Sequence, residues 1–405
     1  MKRLFIILFA LTTLIAQAQN LPYITKVYDF LPAPSQFVNS LPKCNIGDTK
    51  ATVLARVEEK ICGKMEIEEN ELPDGTIVND TTIKVSSGEI SLGSYGGYVV
   101  FGFDHPVVNV KGEYDLQIFG NAFQSNESTM PGGSSEPGIV MVSRDANDNG
   151  IPDDPWYELA GSEYNNPKTQ KHFTITYYKP DDNKPAVPSP NDPTITDAEY
   201  IRWTCNSVDS LQEGYVFKNA FHSQSYWPLW EDSVTLTFTG TKLACNGEDI
   251  GKNGRVYWFQ HCYDWGYVDN RPDAHYGYGI DKTGVDLNKG FNIEWAVDDE
   301  GNPVDLKQID FVKVYCGVLQ YCGQLGETST EVAGAIDLHP DAVAEVEVIA
   351  GDVNGDEVCN AADVTALYNW ILNNDDSALV NGDQNNDDII NAGDVTTVYN
   401  IILGN

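Results

Sequence analysis

The segment GDVNGDEVCNAADVTALYNWIL at residues 351–372 returns 31 residues later as GDQNNDDIINAGDVTTVYNIIL. Duplication at this spacing makes the end of the chain a small unit of two matched copies. Within each copy, short Asp and Asn side chains alternate along a loop, and a helical pattern follows. Val364, Leu367, Tyr368 and Ile371 fall at i, i+3, i+4 and i+7, matched by Val395, Val398, Tyr399 and Ile402.

The loop spacing has a chemical meaning. Places one, three, five, nine and twelve are Asp352, Asn354, Asp356, Asn360 and Asp363 in the first copy. In the second they are Asp383, Asn385, Asp387, Asn391 and Asp394. Place seven offers a backbone carbonyl, from Val358 or Ile389. Calcium takes six to eight oxygen ligands, and this alternation turns successive oxygens onto one point. One calcium ion per loop is the expectation. Residues 351–405 hold ten Asp and Glu and neither Lys nor Arg, a concentration of charge that calls for a cation.

These paired loops resemble a type I dockerin, a module with Asp at the twelfth loop place that plugs an exported protein into a cohesin-like surface partner. Two features depart from that pattern. The sixth place, commonly Gly because the chain turns sharply there, is Glu357 and then Asp388. The places that set partner choice in the family are the small residues Ala361, Ala362, Ala392 and Gly393.

A third acidic loop lies upstream. Asp145, Asn147, Asn149 and Gly150 are followed by Ile151, placed to offer a carbonyl, and by Asp153 and Asp154. It falls between two strand-like runs, so a third, structural calcium is expected there; the competing reading is an Asn-Gly hairpin tip.

From about residue 82 to 325 the chain is a succession of short strand patterns, among them GYVVFGFD, YDLQIFG, GIVMVSRD, HFTITYYK, SVTLTFTG, FNIEWAV and IDFVKVYC. Such patterns predict a mostly β fold: an antiparallel β-sandwich or jelly roll, with the small α-helical calcium-loop unit behind it. TKATVLARVEEKI predicts a short helix across one end. Residues 121–136 and 179–199 read as surface insertions. The expected division is a signal peptide at 1–18, a β domain at 19–340, a linker at 341–350 and the calcium unit at 351–405.

The leader MKRLFIILFALTTLIAQA has a basic start, an apolar run and a small-x-small end, which predicts export to the periplasm, cell surface or medium. No later run is long enough to span a bilayer. The formal charge of −35 argues against nucleic acid and anionic membrane as partners. Eight cysteines in an exported chain predict some disulfides, with Cys359 as a free thiol because it aligns with apolar Ile390.

No nucleophile elbow, zinc motif or phosphate loop is present. Glu136, Glu158 and Asp264 are candidate carboxylates no better than several others for the pair that a glycosidase needs. Aromatic residues near turns are the better lead. Trp156, Tyr157, Tyr226, Trp227, Trp230 and Trp265 predict a ligand-binding face.

The blocks ISLGSYGGYVVFGFDHPVVNV, DLQIFGNAF and GFNIEWAVDDEGNPVDLKQIDFVKVY resemble an exported cell-surface protein family of Gram-negative gut anaerobes, similar in outline to β-sandwich carbohydrate-binding modules. That resemblance implies capture of a ligand, a glycan or a corrinoid, for an outer-membrane uptake system. The rival expectation is a dockerin-bearing, polysaccharide-degrading glycoside hydrolase.

Overall fold

The computed structural model describes residues 20–404 apart from 72–76, 126–130, 182, 208–210, 273–289, 345–348, 357, 376, 378 and 388; the side chains of 66–83 and 324 are likewise left aside. The expected leader and the sixth loop places Glu357 and Asp388 therefore lie outside the described residues. The chain divides into two compact units, Met1–Ala344 and Glu345–Asn405.

The first unit is mostly β. Six antiparallel strands form one sheet in the order Lys26–Leu31, Tyr98–Gly102, Phe311–Cys316, Gly138–Ser143, Tyr157–Leu159 and Ala296–Val297. Four more form a second, in the order Glu213–Asn219, Ile195–Cys205, Gln170–Tyr178 and Thr235–Lys242. Side chains of a strand alternate between faces, and the six-stranded sheet uses both. Val140, Val142, Val312 and Val314 enter one apolar cluster. Their neighbours Ile139 and Tyr315 enter another, filled from the second sheet by Ile175, Tyr177, Leu236 and Phe238.

Helix α1, Lys50–Ile61, starts where Thr49 accepts a bond from the Thr52 amide and buries Val53, Val57 and Ile61. All three join the first cluster. The apolar residues sit four apart, so one helical stripe carries the whole contact.

Three expectations need correction. FNIEWAV is not a strand throughout: Asn292 caps a 3-10 turn at Ile293–Trp295, and only Ala296–Val297 pairs. The strand Ile195–Cys205 begins inside the segment read as an insertion. Its register slips twice between Ile195 and Ile201, so polar residues interrupt the alternation that marks a strand. No disulfide forms; all eight cysteines are free. Cys44, Cys316 and Cys322 are buried, and burial pushes their thiols up to about 11, 11 and 12, which favours the unreactive protonated form.

The second unit pairs α2, Ala361–Asn373, with α3, Ala392–Leu403. Its core holds Val353, Val364, Ala366, Leu367, Val395 and Val398, with Cys359, Leu379 and Ile390 packed on it. Only half of each apolar stripe is used there. Tyr368, Ile371, Tyr399 and Ile402 are exposed, as are Leu372 and Leu403. No helix of the described residues is long and apolar enough to cross a membrane.

Candidate functional site

The two C-terminal loops close by one set of bonds. The amide at place five donates to the carboxylate at place one, Asp356 to Asp352 at 3.2 Å and Asp387 to Asp383 at 3.1 Å. It also donates to the place-three amide oxygen, on Asn354 or Asn385, at 3.0 Å. The amide at place seven, on Val358 or Ile389, donates to place five at 3.0 Å. Short polar side chains competing with the backbone for local bonds explain this winding.

The twelfth place does two jobs. Oδ1 of Asp363 accepts the amides of Val353 and Asn354 at 2.8 and 3.1 Å, and Oδ2 accepts that of Asn360 at 2.7 Å. Asp394 repeats this with Gln384, Asn385 and Asn391 at 2.8, 3.2 and 2.8 Å. Asn360 and Asn391 cap α2 and α3 in return, so both helices begin with a reciprocal capping box. Asp363 and Asp394 are fully buried.

One carboxylate oxygen from each of Asp352, Asp356 and Asp363 lies within 4.8 Å of the other two. The carbonyls of Val358 and Ile389 each face a place-nine side chain, accepting from Asn360 at 3.1 Å and Asn391 at 2.9 Å. The set is all oxygen, charged and convergent, which fits a hard cation of calcium's kind. A cation held there would relieve the carboxylates' mutual repulsion.

The third loop repeats the winding. Asn149 N donates to Asp145 Oδ1 at 3.0 Å and to Asn147 Oδ1 at 3.1 Å, and Ile151 N donates to Asn149 Oδ1 at 2.7 Å. The closing carboxylate is now two places earlier, because Ala146 N reaches Asp154 Oδ2 at 3.1 Å. Asp153 accepts from the Asn147 and Asn149 side chains, and its amide donates to the Ile151 carbonyl at 2.8 Å. A left-handed residue stands at place four in every loop: Gly355, Asn386 and Asp148, with φ of 76°, 57° and 54°. Gly, Asn and Asp are the residues that tolerate this conformation best. Asp310, unremarked in the sequence, joins this loop by accepting the Asp145 amide at 2.8 Å. Burial, with Asp145 and Asp148 nearby, raises its carboxyl.

The aromatic candidates do not form one face. Tyr226, Trp227 and Trp230 are buried. Tyr226 and Trp227 belong to the cluster between the two sheets and Trp230 to the other, stacked 6.0 Å from Phe30. Trp156 and Tyr157 are half-buried. Trp265 alone is well exposed, at 45%, and leans on Trp295 with ring centroids 4.6 Å apart.

Of the carboxylates, Glu136 lies with Asp269 and Glu331 in a tight group, one oxygen of each within 4.8 Å of the others. Asp269 accepts from the amides of Asn121, Ala122 and Glu331. Burial is the first cause that raises all three carboxyls, their mutual charge adding to it for Asp269 and Glu331, and Glu136 is pushed to about 7. Burial thus favours the protonated form of these carboxyls. Asp264 is exposed at 86% of its side chain, 3.9 Å from Arg271.

Among the described residues, cavities open on the β unit. One, of about 240 Å³, is lined by Trp203, Tyr215, Phe217, Tyr321 and Glu327. Another, of about 210 Å³, is lined by Glu158, Tyr164, Lys171, His172, Asp298 and Asp299. Sequence reasoning had singled out Glu158 alone of these residues. The chain matches no protein-family model and no curated protein.

Proposed function

We propose that this is an exported, calcium-dependent capture protein: a β-sandwich unit takes a ligand, a glycan in the first instance, and a dockerin-like tail attaches it to a partner protein. The observation that carries the reading is the shared winding of the three Asp- and Asn-rich loops, with the carboxylates of Asp352, Asp356 and Asp363 convergent within 4.8 Å. Two sheets contributing to one apolar cluster support the sandwich. For attachment, the support is the outward apolar face of α2 and α3, where Tyr368, Ile371, Tyr399 and Ile402 stand exposed on a segment without a single Lys or Arg. An apolar patch rimmed by one sign of charge suits a protein partner with a basic rim.

Calorimetric titration of the full chain with calcium tests the reading. Saturable uptake is expected, reduced by the double variant Asp352→Ala, Asp383→Ala and further reduced by adding Asp145→Ala. A chain that takes up no calcium sinks it. Capture is tested separately, by presenting the full chain with immobilised neutral glycans, acidic glycans and corrinoids.

A further inference from the structure

The strand Gln170–Tyr178 is interrupted where it borders the second cavity. Gln170 pairs with Lys242 and Phe173 with Gly240, so Lys171 and His172 together oppose the single residue Thr241. This is a β-bulge, a device that re-aims side chains beside binding and catalytic sites. His172 takes a left-handed φ of 51°, an unfavourable state for a residue with a Cβ that persists only when its surroundings enforce it. Asn206 supplies part of that enforcement, since its side-chain nitrogen donates to the His172 carbonyl at 2.9 Å and its oxygen accepts the Thr174 amide at 2.8 Å.

The bulge sets the chemistry of the cavity wall. Thr241, opposite, donates to Glu158 Oε2 at 2.5 Å. Lys171 Nζ lies over the Tyr164 ring, 4.0 Å from Glu158 Oε1, beyond hydrogen-bond reach. Asp298 and Asp299 complete the wall. Acceptors and donors are thus mixed around a space with room for one hexose ring. Carboxylates outnumber the single ammonium, which disfavours an acidic ligand. An apolar ligand would desolvate Lys171 Nζ and Glu158 Oε1, which at 4.0 Å do not hydrogen-bond each other. Hydroxyls, which donate and accept, can satisfy both kinds.

We propose that the cavity framed by the Lys171–His172 bulge, Glu158, Tyr164, Asp298 and Asp299 is a binding site for a neutral sugar residue, and so the place where the β unit captures its glycan. This inference rests on the capture reading and assigns it to a position. Lys171 donates to ring hydroxyls, Glu158 and Asp299 accept from them, and the left-handed bulge sets His172 among the residues that line the wall. Burial draws the Lys171 ammonium down to about 8 and raises the Glu158 carboxyl.

The test uses the full chain with glucose, galactose, mannose and galacturonate, followed by saturation-transfer NMR and calorimetry, beside the immobilised glycan and corrinoid panel. At least one neutral hexose should bind saturably, with galacturonate weaker. Lys171→Met should weaken that binding about tenfold or more, the worth of one lost charge-assisted bond. His172→Gly separates site from scaffold: glycine accepts the left-handed backbone, so the thermal midpoint should hold or rise while sugar binding falls. Should a panel ligand bind wild type, Lys171→Met and His172→Gly equally, the capture reading stands and this assignment is overturned. Should no ligand of the panel bind wild type, capture fails and the site with it.

Discussion

Asp363 accepts the Val353 amide at 2.8 Å with one carboxylate oxygen, while the other accepts the Asn360 amide at 2.7 Å. The residue that completes the capping box of α2 from its first turn therefore also closes the loop ahead of it. Asp363→Ala removes the carboxylate half of the capping box and orphans the amides it binds, a loss of about 2–4 kcal/mol, which is large against the whole stability of so small a unit. The full-length variant should lose helical signal in far-ultraviolet circular dichroism and become sensitive to proteolysis after residue 344. Retention of wild-type helicity would show that the two jobs are separable.

Chelation should act in the same direction. Without a cation, the clustered carboxylates of Asp352, Asp356 and Asp363 repel one another. Excess chelator added to the full chain is expected to reduce helical signal and lower the tail's melting transition, with a smaller shift in the β unit through the loop at 145–154. Excess calcium should restore both. A helical signal indifferent to chelator would count against a cation in the tail.

The buried carboxyls of the β unit give a pH dependence of definite sign. Burial raises Glu136 and Glu327 to about 7, and raises Asp269 and Glu331 as well. In the unfolded chain these groups titrate near about 4. The folded state therefore holds more protons between those limits, and the stability present below the unfolded values is lost as pH rises through the folded ones. The thermal midpoint of the β unit should fall from pH 5 to pH 8. Glu327→Gln, which keeps an acceptor for the Gln36 amide, should flatten the fall. A midpoint rising over that window would show that these carboxyls are not held protonated by burial.

The loops were readable because their geometry is local: Asp352 to Asp363 spans one turn of chain, and each bond joins residues whose spacing the sequence displays. Helix α1 was readable for the same reason. Lys171 and His172 were not, because they meet Asp298 and Asp299 only through the fold, and the left-handed state of His172 leaves no mark on its residue type. The aromatic residues misled for a related cause. Tyr226 and Trp227 lie among turn residues in sequence, yet tertiary packing draws them between the sheets. The strand at Ile195–Cys205 was hidden by its own register slips.

That misreading yields the sharpest contrast between packing and surface roles. Trp227 is 2% exposed and Trp265 is 45% exposed. Around Trp227 the structure is tied closely: Asn39 donates to its carbonyl at 2.9 Å, and neighbouring Tyr226 accepts the Asn219 amide at 3.2 Å. Trp227→Ala opens a cavity that these bonds prevent from collapsing, at a cost of about 3–5 kcal/mol. Trp265→Ala loses mainly its edge against Trp295 and should cost about 1 kcal/mol. Chemical denaturation of the two full-length variants, read by intrinsic fluorescence and circular dichroism together, separates them. Similar midpoints for both would mean that Trp227 is not held in the core as its burial implies, and would return it to the candidates for a ligand-binding face.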